Sequence, residues 1–587
     1  MGDLGKRKEP EEELLTSRNS VLGEPWIPIY ERKVDFDAHH FETAMSNLIR
    51  QPNINSTVIM RADILKENIY DPQEGDTMFV SKLIHKMPEF PSVSDDPSDV
   101  ILHRNLDDVE FRSITLENSG IKLNPKCQIV RRIIPRNPFK DHIINQTCLV
   151  LSSQGAEEPL KANDSVLVVY IPHIESKEEI PYYLPPVYGV GILYHNSNLS
   201  IQYLPFGYQI STVESGLLKG MDPSERPIRI ALRLLQTSAK HSLGAKTGYE
   251  KRVNHDIVVP KIAFQNRYIS LKKKYSSKLV ENWSESTDPK KHVFEDLAIA
   301  AFLIEFWILK YEAKKDFEFR DLGCGNGLLV YILNSEGYKG VGIDARARKS
   351  WATYPKEVQD NLKEQVVIPS ILLKPHPAVA KMAPHVKDNG RYFSIQEGPI
   401  LKDSEGSLEV KTEPAHGAGV SYYSSSSLLH SSQVCTTDEF PENTFIIGNH
   451  SDELTCWIPL LGFPFMVIPC CSHSLSGAKV RYAPRKKIAP ANGKGPAQAA
   501  QASTYGALVD HVEDLAIQLG WKVEKEMLRI PSTRNAALIG TAKGSQFTNE
   551  SVEEAQTRVL DILAVSGGAD GWVENSIALM KKAPRNH

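Results

Sequence analysis

The sequence has few of the features that mark a secreted or metal-binding protein. Its 587 residues include only 7 cysteines, and no two of them form a CxxC pair. This scatter argues against a disulfide framework and a zinc ribbon, and we expect no metal. Scattered free thiols are typical of a reducing compartment, so we expect a cytoplasmic location.

Long hydrophobic runs are also missing. The most apolar helical segment, Leu297–Tyr311, is too short to span a bilayer and contains Glu305. The N-terminus is charged from its first residues and lacks the apolar stretch of a signal peptide. We therefore expect no membrane association, and we interpret Leu297–Tyr311 as a buried core helix.

An excess of charge of one sign is absent as well. The 68 basic and 72 acidic residues leave a formal net charge of -4. This balance excludes a protein that holds nucleic acid by bulk positive charge, although it permits a local basic patch. With 41% hydrophobic residues and this length, the chain is expected to be globular and to contain more than one domain.

The pattern of the chain changes several times along its length. Short strand-like runs such as Gln128–Pro135 and Asp164–Pro172 are separated by Pro, Gly and Asn, which favours a β-rich or α+β fold in the first part. The predicted parts are a disordered tail (1–20), an N-terminal region of uncertain fold with RNA binding as a hypothesis (21–236), an α/β domain (254–540) with a mobile insertion (374–438), and a C-terminal extension (541–587).

A glycine-rich turn is the strongest motif. "FEFR" reads as a strand that ends before Asp321, and "GLLVYILN" after the turn reads as a helix. Asp288 and Pro289 mark the N-terminus of the helix that precedes this strand. A strand-to-helix turn with Gly323, Gly325 and Gly327 is where a nucleotide site is expected, since glycine lets the backbone approach a ligand closely.

The spacing within the turn separates three kinds of site. A P-loop needs GxxxxGK[ST], and this pattern is absent. The dinucleotide fingerprint needs GxGxxG, whereas "GCGNG" is one residue short. The remaining candidate is the turn of methyltransferases that use S-adenosylmethionine, which an acidic residue usually opens, as Asp321 does here. The alternative is a structural glycine turn without a ligand.

A second acidic residue supports the cofactor interpretation. Asp344 ends the apolar run "GVGID", 21 residues after Gly323. This spacing is close to that of a carboxylate that binds ribose hydroxyls at the end of the second strand.

Two further apolar runs end in polar clusters. After Phe445–Ile447 come Asn449, His450, Ser451, Asp452 and Glu453. Ligands lie beyond the carboxyl ends of strands in open α/β sheets, so this cluster is a functional candidate, although Ser451 or Asp452 would also serve as a helix cap. After "FPFMVIP" come Cys470, Cys471 and His473, which lack a further ligand pair and are interpreted as buried thiols rather than a metal site.

Basic residues form two groups near the end of the predicted domain. "KVRYAPRKK" contains Lys479 and Arg481, and "RIPSTRN" contains Arg529 and Arg534. Beside a nucleotide-like site they favour contacts to RNA phosphates, with an ordinary solvated surface as the alternative.

Several of these motifs together resemble one known family. "TDPKKHVFEDLAIAAFLI", "RDLGCGNGLLVYILNSEGYKGVGIDARARKSW", "GNHSDELTCWIP", "IPCC" and "LRIPSTRN" look like the eukaryotic tRNA (uracil-2'-O)-methyltransferase family, which methylates the ribose of uridine 44 in serine tRNA. The resemblance covers 254–540 without the insertion. Cys456 departs from it, because proline is expected there.

The resemblance implies a class I S-adenosylmethionine-dependent methyltransferase domain with a Rossmann-like α/β fold, and tRNA as the partner. The residues that it implies for the cofactor are Asp321, Gly323, Gly325, Gly327 and Asp344. Asn326 within the turn is also expected to bind the cofactor, and Asn449, from its place near a strand end, is expected to orient the cofactor or the substrate. For catalysis, Asp452 or Glu453 is the expected base or positioning group, His450 is the rival base, and the charge of Lys479 is expected to acidify the substrate hydroxyl. The alternatives are an RNA-binding scaffold that retains this fold and a methyltransferase with another substrate.

Overall fold

The structure is a computed structural model that describes residues 12–70, 79–82, 108–116, 119–138, 140–154, 160–161, 164–207, 218, 220–248, 255–396, 420–477 and 503–580. The chain divides into two compact units, Met1–Lys251 and Arg252–His587. Among the described helices, none is both long and apolar enough to cross a membrane.

The first unit is built on an antiparallel sheet. Its nine described strands have the order β1-β2-β9-β8-β7-β6-β5-β3-β4. Their bounds are Glu13–Leu14 (β1), Ile27–Lys33 (β2), Ile59–Tyr70 (β3), Phe79–Lys82 (β4), Asn124–Pro135 (β5), Ile144–Ser152 (β6), Val166–Pro172 (β7), Gly189–His195 (β8) and Asn198–Leu204 (β9). The predicted strand run Gln128–Pro135 lies within β5 and the run Asp164–Pro172 overlaps β7, and an α+β fold is observed.

Two helices cover one face of this sheet: Ala38–Arg50 (α1) and Arg226–Lys246 (α2). Phe41, Met45 and Leu48 form the apolar stripe of α1, at the spacing of a helix with one buried face. These side chains share a core with Ile228 and Leu235 of α2 and with strand residues. The unit therefore holds its core between the helices and the sheet.

The predicted disordered tail over 1–20 is wrong for its described part. Strand β1 pairs with β2, with Leu14 opposite Tyr30. Leu15 and Thr16 are buried, so the apolar residues of this segment contribute to the fold. Residues 1–11 lie outside the described residues.

The second unit contains a mixed sheet with the order β12-β11-β10-β17-β18-β20-β19. The five strands from β12 to β18 in this order are parallel, and β20 and β19 are antiparallel. The bounds are Glu318–Leu322 (β10), Gly340–Asp344 (β11), Leu362–Glu364 (β12), Thr444–Asn449 (β17), Phe465–Ile468 (β18), Trp521–Met527 (β19) and Ala536–Lys543 (β20). Two small sheets pair Val366–Ile368 (β13) with Val434–Thr436 (β16), and Tyr392–Gln396 (β14) with Val420–Ser424 (β15).

Helices pack on both faces of this sheet. Phe445 and Ile447 of β17 join one core with Leu297 of the helix Pro289–Lys310, whereas Ile446 between them joins the opposite core with Val512 of the helix Thr504–Gln518. This alternation is the period of a strand buried on both sides. The helices of the unit are Lys261–Glu281 (α3), Pro289–Lys310 (α4), Leu328–Ser335 (α5), Lys356–Gln359 (α6), Pro377–Met382 (α7), Ser425–Leu429 (α8), Thr504–Gln518 (α9), Val552–Val565 (α10) and Trp572–Met580 (α11).

The start of α4 agrees with the sequence prediction. The side chain of Asp288 accepts a hydrogen bond from the backbone N–H of Lys290 at 3.0 Å, and Pro289 occupies the first helical position. Most residues of the segment Leu297–Tyr311 are buried in α4, as predicted for a core helix. Glu305, its single acidic residue, binds Arg267 of α3 at 2.7 Å.

Two predictions about the organisation of this unit are wrong: the mobility of the insertion and the separation of the C-terminal extension from the domain. In the insertion 374–438, Phe393 and Ile395 of β14 are buried in the core, so its described parts are ordered; residues 397–419 lie outside the described residues. The C-terminal extension 541–587 supplies α10 and α11, whose Ile562 and Trp572 are also buried there. The composition of the insertion, rich in Ser and Pro, predicted mobility, but the few apolar residues between them pack in the core.

Candidate functional site

The candidate site is a cavity of about 720 Å³ at one edge of the mixed sheet. The order of the strands reverses between β10 and β17, so the segments that follow these two strands diverge and leave a crevice. The turn after β10, the end of β11 and the segment after β17 line it, together with the N-terminal part of α4, residues 532–534 and α11.

The glycine turn is tied to the neighbouring strand by backbone hydrogen bonds. The N–H groups of Gly323 and Cys324 both donate to the carbonyl oxygen of Ile343, at 2.8 and 3.2 Å. Gly323 has a φ of +76°, and a Cβ atom there would lie 3.4 Å from Cα of Ser451. The positive φ of the turn therefore favours glycine at 323, and the segment after β17 lies within van der Waals reach of this position.

Gly325 and Asn326 line the cavity, whereas Gly327 does not. A Cβ atom on Gly327 would lie 3.0 Å from the side chain of Leu362 and 3.3 Å from Nε1 of Trp351, so this glycine permits packing beneath the turn. The side chain of Asn326 accepts a hydrogen bond from the N–H of Leu328 at 2.9 Å and so supports the first turn of α5. The role of Gly327 in the cofactor turn stays a prediction, and the contribution that the structure shows for it is this packing.

Asp344 lies at the end of β11, as predicted, and links that strand to the turn. Its Oδ2 accepts from the N–H of Gly325 at 2.9 Å, and its Oδ1 accepts from the N–H of Arg346 at 3.1 Å. Burial raises the pKa of Asp344, against the opposing effect of these N–H groups and of Arg348. A carboxylate has about four acceptor positions, so two remain for ligand hydroxyls.

Acidic groups concentrate on one wall of the cavity. Asp321 and Asp296 are 2% and 8% exposed. Burial, and then the charges of Asp296 and Asp344, raise the pKa of Asp321 well above its usual range. Burial, and then the charge of Glu295, raise the pKa of Asp296 to about 8. The cavity therefore disfavours further negative charge, which argues against a pyrophosphate and favours a cationic ligand.

Asn449 connects this acidic wall to β17. Its Nδ2 donates to Oδ1 of Asp296 at 3.2 Å. Its own Oδ1 and the Oδ1 of Asp321 are buried, and neither has a hydrogen-bond partner among the described residues. Two orphaned acceptors on one cavity fit a ligand that donates hydrogen bonds, such as a protonated amine.

His450 pairs with an acidic residue that sequence analysis missed. Its Nε2 lies 3.3 Å from Oε1 of Glu295. Burial acts to raise the pKa of Glu295, but the hydrogen bond and charge of His450 and the charges of His292 and Lys291 outweigh it and lower that pKa.

His450 and Asp452 both have positive φ values, +55° and +40°. Unusual backbone at two positions of one turn is typical of functional segments.

Asp452 and Glu453 line the cavity, and Asp452 is exposed. The Sγ of Cys470 donates to Oδ1 of Asp452 at 3.3 Å. Burial and the charge of Asp452 raise the pKa of the Cys470 thiol. Cys470 is thus a protonated thiol rather than a nucleophile, which agrees with the interpretation of a buried thiol.

One group of side chains next to the cavity has the composition of a metal site. Asp452, Cys471 and His473 each offer one ligand atom, and these atoms lie within 4.8 Å of one another. Asp, Cys and His are the residue types that bind a divalent cation of the zinc type. Sequence analysis missed the group because Asp452 follows a different strand, and the expectation of no metal stays a prediction.

The two predicted basic groups have different outcomes. Lys479 and Arg481, with the rest of "KVRYAPRKK", lie outside the described residues. Arg529 forms a bidentate ion pair with Asp256, at 2.8 and 2.5 Å, so its guanidinium is already engaged. Arg534 lines the cavity, donates to the carbonyl oxygen of Cys470, and lies 3.7 Å from Sγ of Cys471.

Tertiary structure adds residues that sequence analysis did not select. Glu295 and Asp296 reach the cavity from α4, and a signal was present, because a charged pair interrupts an apolar helix. Trp572 and Ser576 of α11 also line the cavity. No motif marks those two residues, which lie in the predicted extension.

Comparison with known families defines the class of the second unit. Residues 258–369 match the family described as "Predicted AdoMet-dependent methyltransferase". The second unit is thus a methyltransferase domain, and its cofactor is S-adenosylmethionine, which carries both a cationic sulfonium and an amine. The acidic wall and the orphaned acceptors fit this cation.

A family match of the first unit and relatives that cover nearly the whole chain define the family of this protein. Residues 6–252 match "TRM44-like, N-terminal bet v1-like domain". A tRNA (uracil-O(2)-)-methyltransferase of Debaryomyces hansenii is 68% identical, over 98% of each chain. Proteins of the same name from Saccharomyces cerevisiae and Schizosaccharomyces pombe are 51% and 36% identical, over 98% and 96% of this chain and 96% and 94% of their own. The chain belongs to the tRNA (uracil-O(2)-)-methyltransferase family.

Proposed function

We propose that this chain transfers a methyl group from S-adenosylmethionine to the ribose 2'-oxygen of uridine 44 in serine tRNA, in the cytoplasm. Relatives that cover nearly the whole chain are named for methylation of uracil nucleotides in tRNA. The position and the tRNA species rest on the motif resemblance, which includes "GNHSDELT" and "LRIPSTRN".

The observation that carries the proposal is the acidic wall at the strand switch point. Asp321 and Asp296 are buried carboxyl groups beside a glycine turn, and Asp344 stands at the end of the next strand. This arrangement suits a ligand with a cationic end and a ribose. The sheet order, with five parallel strands and an antiparallel pair at one edge, supports a class I methyltransferase fold.

Different residues of this chain bind different parts of the cofactor. Asp321 and Asn449 have acceptor atoms for the amine of the methionine part. Asp344 accepts hydrogen bonds from the ribose hydroxyls with the acceptor positions that its two N–H partners leave. Gly323 and Gly325 let the backbone of the turn approach the ligand. The bound cofactor supplies an electrophilic methyl group on a good leaving group.

A base is needed for the 2'-hydroxyl, which is a weak acid. We assign this role to His450, because Glu295 holds its Nε2 side and compensates the charge that it gains. Asp452 and Glu453, at the same end of the cavity, remain rivals as base or as groups that orient the hydroxyl. Lys479 is proposed to acidify the hydroxyl through its charge. Arg534 on the cavity lining suits an RNA phosphate next to the target ribose.

The test uses the purified full chain, S-adenosylmethionine with a labelled methyl group, and transcribed tRNAs. We expect label in serine tRNA, and mass spectrometry of nuclease fragments should place it on the ribose of uridine 44. Label on another nucleotide or another tRNA would overturn the assigned target. Cofactor binding by calorimetry without transfer to any tRNA would favour a different substrate, and absence of both would favour the scaffold alternative.

A further inference from the structure

The first unit contains a second cavity, of about 450 Å³, which the proposed chemistry does not use. Strand residues of the sheet, the segment 182–185 and α2 line it. Its lining includes four arginines, Arg131, Arg226, Arg229 and Arg233, and no Asp or Glu among the described residues. A concave site with this bias attracts an anion.

Two of these arginines are held by the protein. Arg131 is buried and donates to Oε1 of Gln146 at 3.0 and 2.7 Å. Arg226 donates to the carbonyl oxygens of Tyr182 and Leu184, at 2.6 and 2.8 Å. Their charges are fixed in place, and no carboxylate neutralises either of them in the part of the chain that the structure describes.

The other two arginines are available to a ligand. Arg229 and Arg233 are exposed, and among the described residues neither guanidinium group has an ion-pair or hydrogen-bond partner, although the backbone N–H of Arg229 donates to the carbonyl oxygen of Glu225 within the helix. They are four residues apart on α2, which places their Cβ atoms about 6 Å apart on one helix face. Two adjacent free guanidinium groups suit two neighbouring phosphates.

An aromatic ring stands beside these charges. Tyr182 is 75% exposed. The guanidinium carbon of Arg226 lies 4.3 Å from the centre of this ring. One contact thus holds the ring in place while most of its surface stays open. Deeper in the cavity, Ile133, Val190 and Ile192 provide apolar surface.

Phosphate-binding charges, an open aromatic ring and an apolar interior together match an unstacked nucleotide in a single-stranded or looped RNA. We propose that this cavity binds such a nucleotide, with its flanking phosphates on Arg229 and Arg233 and its base on Tyr182. The inference rests on the proposed function, because the RNA concerned is the tRNA substrate.

The test measures binding of a serine tRNA transcript to the full chain by fluorescence anisotropy over a range of salt concentrations. For Arg229→Ala/Arg233→Ala we expect affinity to fall about tenfold, and the slope of log K against log [salt] to become shallower by about 1.5. For Tyr182→Ala we expect a loss of about tenfold with an unchanged slope, because stacking is not ionic. The matched control is Lys33→Ala/Lys240→Ala, which removes two exposed charges that do not line the cavity.

Three results would overturn the inference. One is equal tRNA affinity in the arginine pair variant and the lysine control. A second is unchanged tRNA affinity together with a bound anionic amphiphile that native mass spectrometry finds in the parent chain but not in the arginine variant. The third is a chain that binds no tRNA, which would overturn the proposed function as well. Cofactor affinity, measured by calorimetry, should be the same in all variants, so loss of RNA binding at this second cavity is distinguishable from loss of the methyltransferase site.

Discussion

Asn449 donates a hydrogen bond from Nδ2 to Oδ1 of Asp296 at 3.2 Å, and this contact joins the end of β17 to the first turns of α4. This contact holds the amide of Asn449, at the end of a strand, and the carboxyl group of Asp296, on a helix, on the same side of the cavity. Burial and Glu295 raise the pKa of this carboxyl group to about 8, so it is mostly protonated at neutral pH when no cation is near.

A cationic cofactor should therefore release protons when it binds. The raised pKa of Asp296 means that the fold favours its neutral form, so its contribution to stability is full below about pH 4 and is lost as pH rises through about 8. A cation favours the ionised form and lowers this pKa. We expect release of about 1 proton per site at pH 7, and an affinity for S-adenosylmethionine that rises with pH up to about 8.

Calorimetry of cofactor binding in buffers with different ionisation enthalpies measures this release. Asp296→Asn is the matched variant, because the amide resembles the neutral acid in shape. It should release fewer protons and bind the cofactor about tenfold more weakly, while its thermal stability at pH 8 is unchanged or higher. Proton uptake, or the same release in the variant, would contradict the role of Asp296.

His450→Ala should lower kcat for tRNA methylation about 100-fold or more, while the Kd for the cofactor changes little, since a lost general base affects the transfer step. Glu295→Gln keeps a hydrogen-bonding group but loses the charge that stabilises a protonated imidazole. It should lower kcat less than His450→Ala does. His430→Ala, at an exposed site, is the control. Full turnover of His450→Ala with loss of turnover in Asp452→Asn would transfer the role to Asp452.

Gly323→Ala and Gly390→Ala form a matched pair. Both glycines have positive φ values, +76° and +69°, so alanine should cost about 1–2 kcal/mol of stability at either position. A Cβ atom at 323 also meets Ser451 at 3.4 Å, whereas nothing lies within 4 Å at 390. We expect a cofactor affinity about fivefold lower for Gly323→Ala alone. Equal cofactor affinity in both variants, measured by calorimetry, would show that cofactor binding does not depend on the contact between position 323 and Ser451.

Trp572→Ala should destabilise the second unit strongly. The ring of Trp572 is buried, 5.2 Å from that of Trp457, and Gly477 packs against it. Loss of such a side chain costs about 3–5 kcal/mol. Val565→Ala on α10 is the control, because that side chain is 90% exposed and its loss should cost less than about 0.5 kcal/mol. Similar urea midpoints for the two variants would mean that α11 is not part of the core.

The sequence alone determined those features that depend on neighbouring residues. The glycine turn after β10, Asp344 at the end of β11, and Asp288 as the cap of α4 were all predicted, because strand, turn and cap signals are local. The polar segment after β17 was also found, since an abrupt change from apolar to polar residues marks the end of a buried strand.

Only the tertiary structure decided which distant residues meet. Glu295 and Asp296 lie within an apolar helix, and only the packing of α4 beside β17 makes them partners of His450 and Asn449. Gly327 looked like its two neighbours in sequence but packs under the turn. The arginines of α2 have ordinary helical spacing, and the cavity that they share with Tyr182 exists because the helix lies across the sheet. Long-range contacts of this kind follow from the fold as a whole, which local patterns do not encode.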